Sequence, residues 1–237
     1  MIDLAALPVV LSVWKPCYRL IASRYPTVGL YDDIADPADL AVVFAIEGLT
    51  NPRLREELGQ LQLVDADDRI SGPGATPIMA AFTHLNPEGS RFSDGHYGVY
   101  YAADTLATAL AEVSHHRAVF LARTKEPAID IDLRVVLADL KAPLHDLRGL
   151  RDSQPALYDP LDYTAGRQLG AALRATGSAG IRYWSVRHPA GQCAAVLRPR
   201  ALGRARGGAH IALHWDGQRI THWYEKKAPK ALGGDTR

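Results

Sequence analysis

The last third of the chain restricts its fold more than any other part. From Gly180 onward, four short runs rich in β-branched and aromatic residues follow one another: "GIRYWSV", "QCAAVLRP", "HIALHWDG" and "RITHWYEK". Each has the length and composition of a strand, bounded by turn residues. Asp216–Gly217 predicts a tight hairpin between the last two. Upstream, helical patterns are interspersed with strands without a regular βαβ alternation. This order predicts an α+β fold, a single domain with a mixed, mainly antiparallel central β-sheet flanked by helices. No internal repeat is present, and no glycine-rich dinucleotide fingerprint follows a strand.

Composition sets further bounds. A chain of 237 residues with 47% hydrophobic and 22% charged residues can bury a real core as one domain. Its 27 basic and 26 acidic residues give a net charge of +1. That lacks the electrostatic footprint of a general nucleic-acid binder, while leaving room for a local cationic pocket. The two cysteines, Cys17 and Cys193, form neither a zinc motif nor a disulfide framework. The start "MIDLAALPVVLSVWKP" lacks a basic segment and a cleavage pattern. No apolar run reaches the roughly 20 residues that cross a bilayer. The expectation is a cytoplasmic protein with no membrane contact.

The other elements read as follows. "WKPCYRLIAS" is a short strand after Pro16. Residues 36–60 are helical, with Asp36 as N-cap, Pro37 at the first position and Asn51–Pro52 dividing the segment. "IMAAFTHL" reads as a strand, "NPEGSRFSDGHYG" as a loop and "VYYAA" as a strand. Asp104 caps a helix from about Thr105 to Arg123, whose buried face is Leu106, Leu110, Val113 and Phe120. "PAIDIDLRVVLADL" alternates as a strand. "YTAGRQLGAALRATG" is a helix closed by Gly177. The expected domain spans 1–225. Its first 70 residues form an N-terminal strand and helical segment, residues 75–200 carry the main motifs, and a disordered tail covers 226–237.

Five residues stand out as chemistry. Glu112 sits at the edge of an apolar helix face, where a half-buried carboxylate needs a partner. An arginine partner is the plain reading, and the Glu112/His116 spacing alone makes no metal site. Arg91 lies in a turn-rich loop suited to presenting a guanidinium to phosphate, or it is simply solvated. Arg19 falls inside an apolar strand, where it can snorkel to water. Tyr101 offers a flat ring for stacking or for the core. Ser185 ends a strand and can hydrogen-bond a ribose or amide. Its neighbour His188 allows a Ser–His pairing without an orienting acid or a nucleophile elbow.

In order, these residues resemble the RES-domain family of bacterial toxin–antitoxin toxins. The resemblance is carried by "YRL" at 18–20, "GSRFSDGHYGVYYAADTLATALAE" at 89–112 and "GSAGIRYWSVRHPAGQCAAVL" at 177–197. It implies a fold similar to ADP-ribosyltransferase toxins. It also implies a chain that consumes NAD⁺ as substrate, by hydrolysis or with inorganic phosphate as co-substrate, and needs no metal. Arg19, Arg91, Tyr101, Glu112 and Ser185 fall on the family's pocket positions, both arginines being carried. A helix-turn-helix antitoxin of the Xre type that blocks the pocket is implied as partner, with a homo-oligomer inside the complex. The alternatives are transfer of ADP-ribose to a protein, or a non-catalytic NAD⁺-binding or interaction protein. A serine hydrolase built on Ser185 and His188 is a more distant one.

Overall fold

The computed structural model of the chain describes residues 2–23, 31–32, 37 and 59–227. Its two longest strands are β1 (Val9–Ala22) and β3 (Ile129–Asp146). They pair antiparallel from Val9 opposite His145 to Ala22 opposite Leu133. The ladder shifts register between Trp14 and Cys17, around Pro16, which has no N–H to donate. β1 begins earlier than the expected Trp14 because "VVLSVW" alternates in and out of the core: Ser12 and Trp14 are buried, Val9, Leu11 and Val13 exposed.

Three short strands form a second set: β2 (Tyr100–Ala103), β4 (Gly180–Trp184) and β5 (Gln192–Val196). β5 lies between the other two, antiparallel to both. This set joins the long strands at two short seams. One is a single pair, Tyr18 opposite Ala103. The other is a parallel contact of β3 with β4 at His145–Ile181 and Asp146–Arg182. Because β1 also pairs with β3, the first five strands close on themselves. β6 (Arg206–Trp215) and β7 (Ile220–Glu225) extend the sheet from β3. All four strands predicted in the last third are present, and the Asp216–Gly217 turn joins β6 to β7. Gly217 sits at φ +98°, and the Asp216 carboxylate accepts from the backbone N–H groups of Gln218 and Arg219. The sheet is mixed and mainly antiparallel, as expected.

Three buried clusters hold three helices to this sheet. α1 (Thr76–Thr83) places Ile78, Met79 and Phe82 against Cys17, Tyr100 and the even-numbered residues of β3 from Val136 to Leu144. α2 (Leu106–Thr124) lays Leu106, Leu110 and Val113 on Leu133, Val135, Ile211 and Leu213. α3 (Thr164–Ala175) presses Leu169 and Leu173 toward Phe92, Ile181 and Cys193. β3 therefore feeds two clusters, one from each of its faces. Full burial of one such leucine contributes about 1.5–3 kcal/mol.

Some expectations fail for local reasons. "IMAAFTHL" is helical, not extended: the run is apolar without alternation, and Pro77 opens the helix. The cap of α2 is Thr105, whose hydroxyl accepts from Thr108 N at 3.2 Å, not Asp104. Asp104 instead reaches across to Gln192 N and Thr108 Oγ1, each at 3.2 Å. Phe120 is 56% exposed and Leu121 is buried in its place, one position round the helix. Gly177, at φ +76°, closes α3 as predicted. Asp36, Asn51, Pro52 and the tail from 228 lie outside the described residues.

Candidate active site

Glu112 leaves α2 on the side away from the Leu110 face and points at β5. Its Oε1 accepts a hydrogen bond from Ser185 Oγ at 2.6 Å, within the range of charge-assisted O–H···O⁻ bonds. The Cys193 thiol lies 3.8 Å from the same oxygen. Burial first, and the Glu112 charge second, push that thiol well above the usual range, so it stays a protonated donor. Among the described residues no hydrogen bond reaches the second oxygen, Oε2.

Ser185 is 1% exposed and its hydroxyl is fully used. It donates to Glu112 and accepts from Arg187 N at 3.1 Å and His188 N at 2.9 Å. The turn it opens is closed by Ser185 N donating to Gly191 O at 2.8 Å. One proton and two lone pairs are all a serine hydroxyl has. The His188 ring turns elsewhere: its Nδ1 is 3.0 Å from Thr108 Oγ1. Ser185 therefore positions a carboxylate, and the Ser–His pairing of a hydrolase is not formed.

The Arg91 loop is held from three sides. Tyr101, on β2, clasps it: the hydroxyl bonds Ser90 Oγ at 2.8 Å and accepts from Phe92 N at 2.9 Å, on either side of Arg91. Burial pushes the Tyr101 hydroxyl up to about 12. Arg167 on α3 donates to Ser90 O and Glu88 O. Gly166 and Gly170 let α3 approach the loop closely. A Cβ at Gly170 would lie 2.1 Å from Phe92 O, and one at Gly166 2.3 Å from Arg91 O. Arg91 itself is 9% exposed. Its Nη1 donates to Leu157 O at 3.0 Å and Asp159 O at 2.9 Å, and its guanidinium lies 4.5 Å from the Tyr163 ring centre.

Arg19 reaches the same strand from β1. Its Nη1 donates to Tyr101 O at 3.1 Å, and the guanidinium covers the Tyr100 ring at 4.7 Å. Its Nε is shut off from solvent without a hydrogen-bond partner, and burial lowers its pKa.

The structure thus joins Arg19, Tyr101 and the Arg91 loop in one hydrogen-bonded set, and Glu112 with Ser185 in another. The β2–β5 ladder sets them side by side, with Tyr101 opposite Ala195 and Ala103 opposite Cys193. Sequence reasoning missed Arg187 and His115. Arg187 donates to Pro160 O, while burial, followed by the charges of Arg187 and Arg91, holds His115 below the ordinary histidine range. The signal for Arg187 was its place two residues after Ser185. A surface hollow lined by Gln60, Thr83, His84, Asp94 and His96 includes none of the five candidates. Among the described residues no group of three or more His, Cys, Asp or Glu side chains could hold a metal ion, and no helix is long and apolar enough to cross a membrane.

A family model described as the RES domain matches residues 67–216, a span that holds Arg91, Tyr101, Glu112 and Ser185. The chain belongs to the RES-domain family. Arg19 lies outside the matched span of the RES domain, on β1. The protein y4oC of Sinorhizobium fredii, described as uncharacterized, is 34% identical to this RES protein over 225 residues. The alignment covers 92% of this chain and 93% of that one. Among solved structures, the MbcT–MbcA toxin–antitoxin complex of M. tuberculosis aligns with a TM-score of 0.49 and 12% identity, over 86% of each chain.

Proposed function

We propose that this RES protein cleaves the nicotinamide–ribose bond of NAD⁺ and acts as the toxin of a toxin–antitoxin pair. The observation that supports this most is the Ser185–Glu112 hydrogen bond. It leaves a carboxylate fixed by one oxygen and open at the other.

Breaking that bond leaves positive charge on the ribose while the bonding electron pair departs with neutral nicotinamide. The chemistry is that of glycoside cleavage. A preorganised carboxylate stabilises the cation in a site that excludes water. In this reading Glu112 does so, with Oε2 accepting from a ribose hydroxyl or from the incoming nucleophile. Ser185 holds the carboxylate in place. Arg19 and Arg91 neutralise the pyrophosphate, and Tyr101 stacks on the nicotinamide ring. Water as nucleophile gives ADP-ribose and a proton; inorganic phosphate gives the 1-phosphate of ADP-ribose.

The partner belongs to the same proposal. A helix-turn-helix antitoxin would cover the pocket, with the toxin itself oligomeric in the complex. Transfer to a protein would use the same groups with a different acceptor. Carbon-labelled NAD⁺ incubated with purified chain and a cell lysate tests all of this. The expected label is in ADP-ribose or its phosphate. Label in protein bands means transfer instead, and intact NAD⁺ throughout overturns the proposal.

A further inference from the structure

We propose that His188 takes the proton from the attacking water, with its ring oriented by Thr108 and Asp104. The inference rests on the cleavage proposed above and deepens it by naming the base that hydrolysis requires.

The Thr108 hydroxyl decides which nitrogen of the His188 ring carries the proton. A threonine hydroxyl has one proton and two lone pairs. Three partners surround this one: Asp104 Oδ1 at 3.2 Å, Thr105 Oγ1 at 2.8 Å and His188 Nδ1 at 3.0 Å. A carboxylate only accepts, so the Thr108 proton goes to Asp104. Thr105 Oγ1 already accepts from Thr108 N, and its own proton points to Thr108 Oγ1. The remaining lone pair takes Nδ1–H of His188. The far end of this relay is fixed as well. Asp104 Oδ1 accepts from Gln192 N at 3.2 Å, and Asp104 N donates to Gln192 O at 3.0 Å. His188 is thereby held as the Nδ1–H tautomer. Its Nε2 is left as an acceptor, which no hydrogen bond reaches among the described residues. A carboxylate that orients a histidine through Nδ1–H prepares Nε2 as a general base, and here a hydroxyl stands between the two.

The ring is tied to the reacting carboxylate. Thr108 and Glu112 are four residues apart on α2, on one face and about one 5.4 Å turn from each other. The turn that carries His188 also grips Glu112: His188 N donates to Ser185 Oγ at 2.9 Å, and Ser185 Oγ donates to Glu112 at 2.6 Å. Gly191 lets this turn close on α2, since a Cβ there would lie 2.5 Å from Thr108 Oγ1 and 2.7 Å from His188 Nδ1. His115 and His116 stand one turn beyond Glu112, but among the described residues no hydrogen bond orients either ring.

The step balances. The nicotinamide–ribose bond breaks and its electron pair leaves with nicotinamide. A water oxygen then bonds to the ribose carbon, one of its protons passes to His188 Nε2, and the histidine returns that proton to solvent. Glu112 Oε2 is then assigned to the ribose hydroxyl. An anionic nucleophile has no proton to lose and needs no base.

The test follows nicotinamide release by the full chain in phosphate-free buffer, with and without sodium azide. His188→Gln should slow hydrolysis about a hundredfold or more, the usual contribution of a general base. Azide should restore much of that rate, with the azide of ADP-ribose as product. Thr108→Val keeps His188 and removes the relay; it should show a smaller loss with the same rescue, and it carries the test if His188→Gln does not fold. Hydrolysis by His188→Gln at the wild-type rate, or a loss that azide does not relieve, overturns the base. Nitrogen NMR of the imidazoles separates this proposal from the one beneath it. His188 should be the Nδ1–H tautomer in the resting chain, whether or not NAD⁺ is cleaved, and an Nε2–H tautomer overturns the relay. A wild type that releases no nicotinamide removes the cleavage and the role of His188 in it, while the tautomer still decides whether the relay stands.

Discussion

Replacing Ser185 by alanine probes the joint on which the site depends. The hydroxyl makes one charge-assisted bond to Glu112 at 2.6 Å and accepts two backbone N–H groups at 3.1 and 2.9 Å, in a position 1% exposed. A hydrogen bond to a charged group contributes about 1.5–3 kcal/mol, and each stranded buried donor costs about 1–3 kcal/mol unless water reaches it. With partial relief by water, Ser185→Ala should lose about 2–4 kcal/mol, a fall in melting temperature of roughly 5–15 °C for a domain of this size. Glu112→Gln gives the contrast. Its amide oxygen still accepts from Ser185, so it should lose only about 1 kcal/mol while catalysis disappears. Equilibrium urea unfolding of the two single variants and the double variant then isolates the pair. The expected coupling is about 1 kcal/mol, the difference between a charged and a neutral bond. A coupling indistinguishable from zero, or a Ser185→Ala chain that melts with the wild type, refutes the view that Ser185 organises the carboxylate.

Three other perturbations have defined outcomes. Gly170→Ala puts a methyl 2.1 Å from Phe92 O; a destabilisation of about 2 kcal/mol or more is expected, with NAD⁺ KM rising as the Arg91 loop is displaced, and an unchanged melting curve contradicts it. Arg19→Met removes a guanidinium whose Nε has no partner; the folded chain should be as stable as wild type or more so while activity falls, and a large loss of stability would show that the Tyr101 carbonyl bond matters more than the buried charge. Burial holds His145 below the ordinary histidine pKa, so the unfolded chain binds protons more readily than the native one. Stability from this group is present above the ordinary histidine range and lost as pH falls from about 7 toward 5. In His145→Gln the loss of stability over that interval, measured by urea unfolding, should be smaller.

Much of the fold was legible because its late strands carry their own punctuation. Residues 180–225 alternate, turn at Asp216–Gly217 and form the strands predicted. The segment "IMAAFTHL" was misread because an unbroken apolar run carries no period, and tertiary packing against β3 decides its form. Phe120 failed because the buried stripe of α2 runs through Leu121, one position round the helix. At the site, Glu112 and Ser185 were legible as residue types in order, but their direct contact was not: 73 positions separate them, and it takes the β2–β5 and β5–β4 pairings together to bring Ser185 and Cys193 to α2. The hold on Arg91 was invisible for a plainer reason. It comes from the carbonyl oxygens of Leu157 and Asp159, which every sequence has everywhere.

The decisive measurement is free nicotinamide released from NAD⁺ by the purified, antitoxin-free chain, followed with and without phosphate beside the Glu112→Gln variant. Steady release by the wild type and none by a variant that unfolds at nearly the same urea concentration is the predicted result. A folded wild type that releases no nicotinamide under either condition, or a Glu112→Gln chain that releases it at the wild-type rate, contradicts the assignment of Glu112 and the function proposed with it.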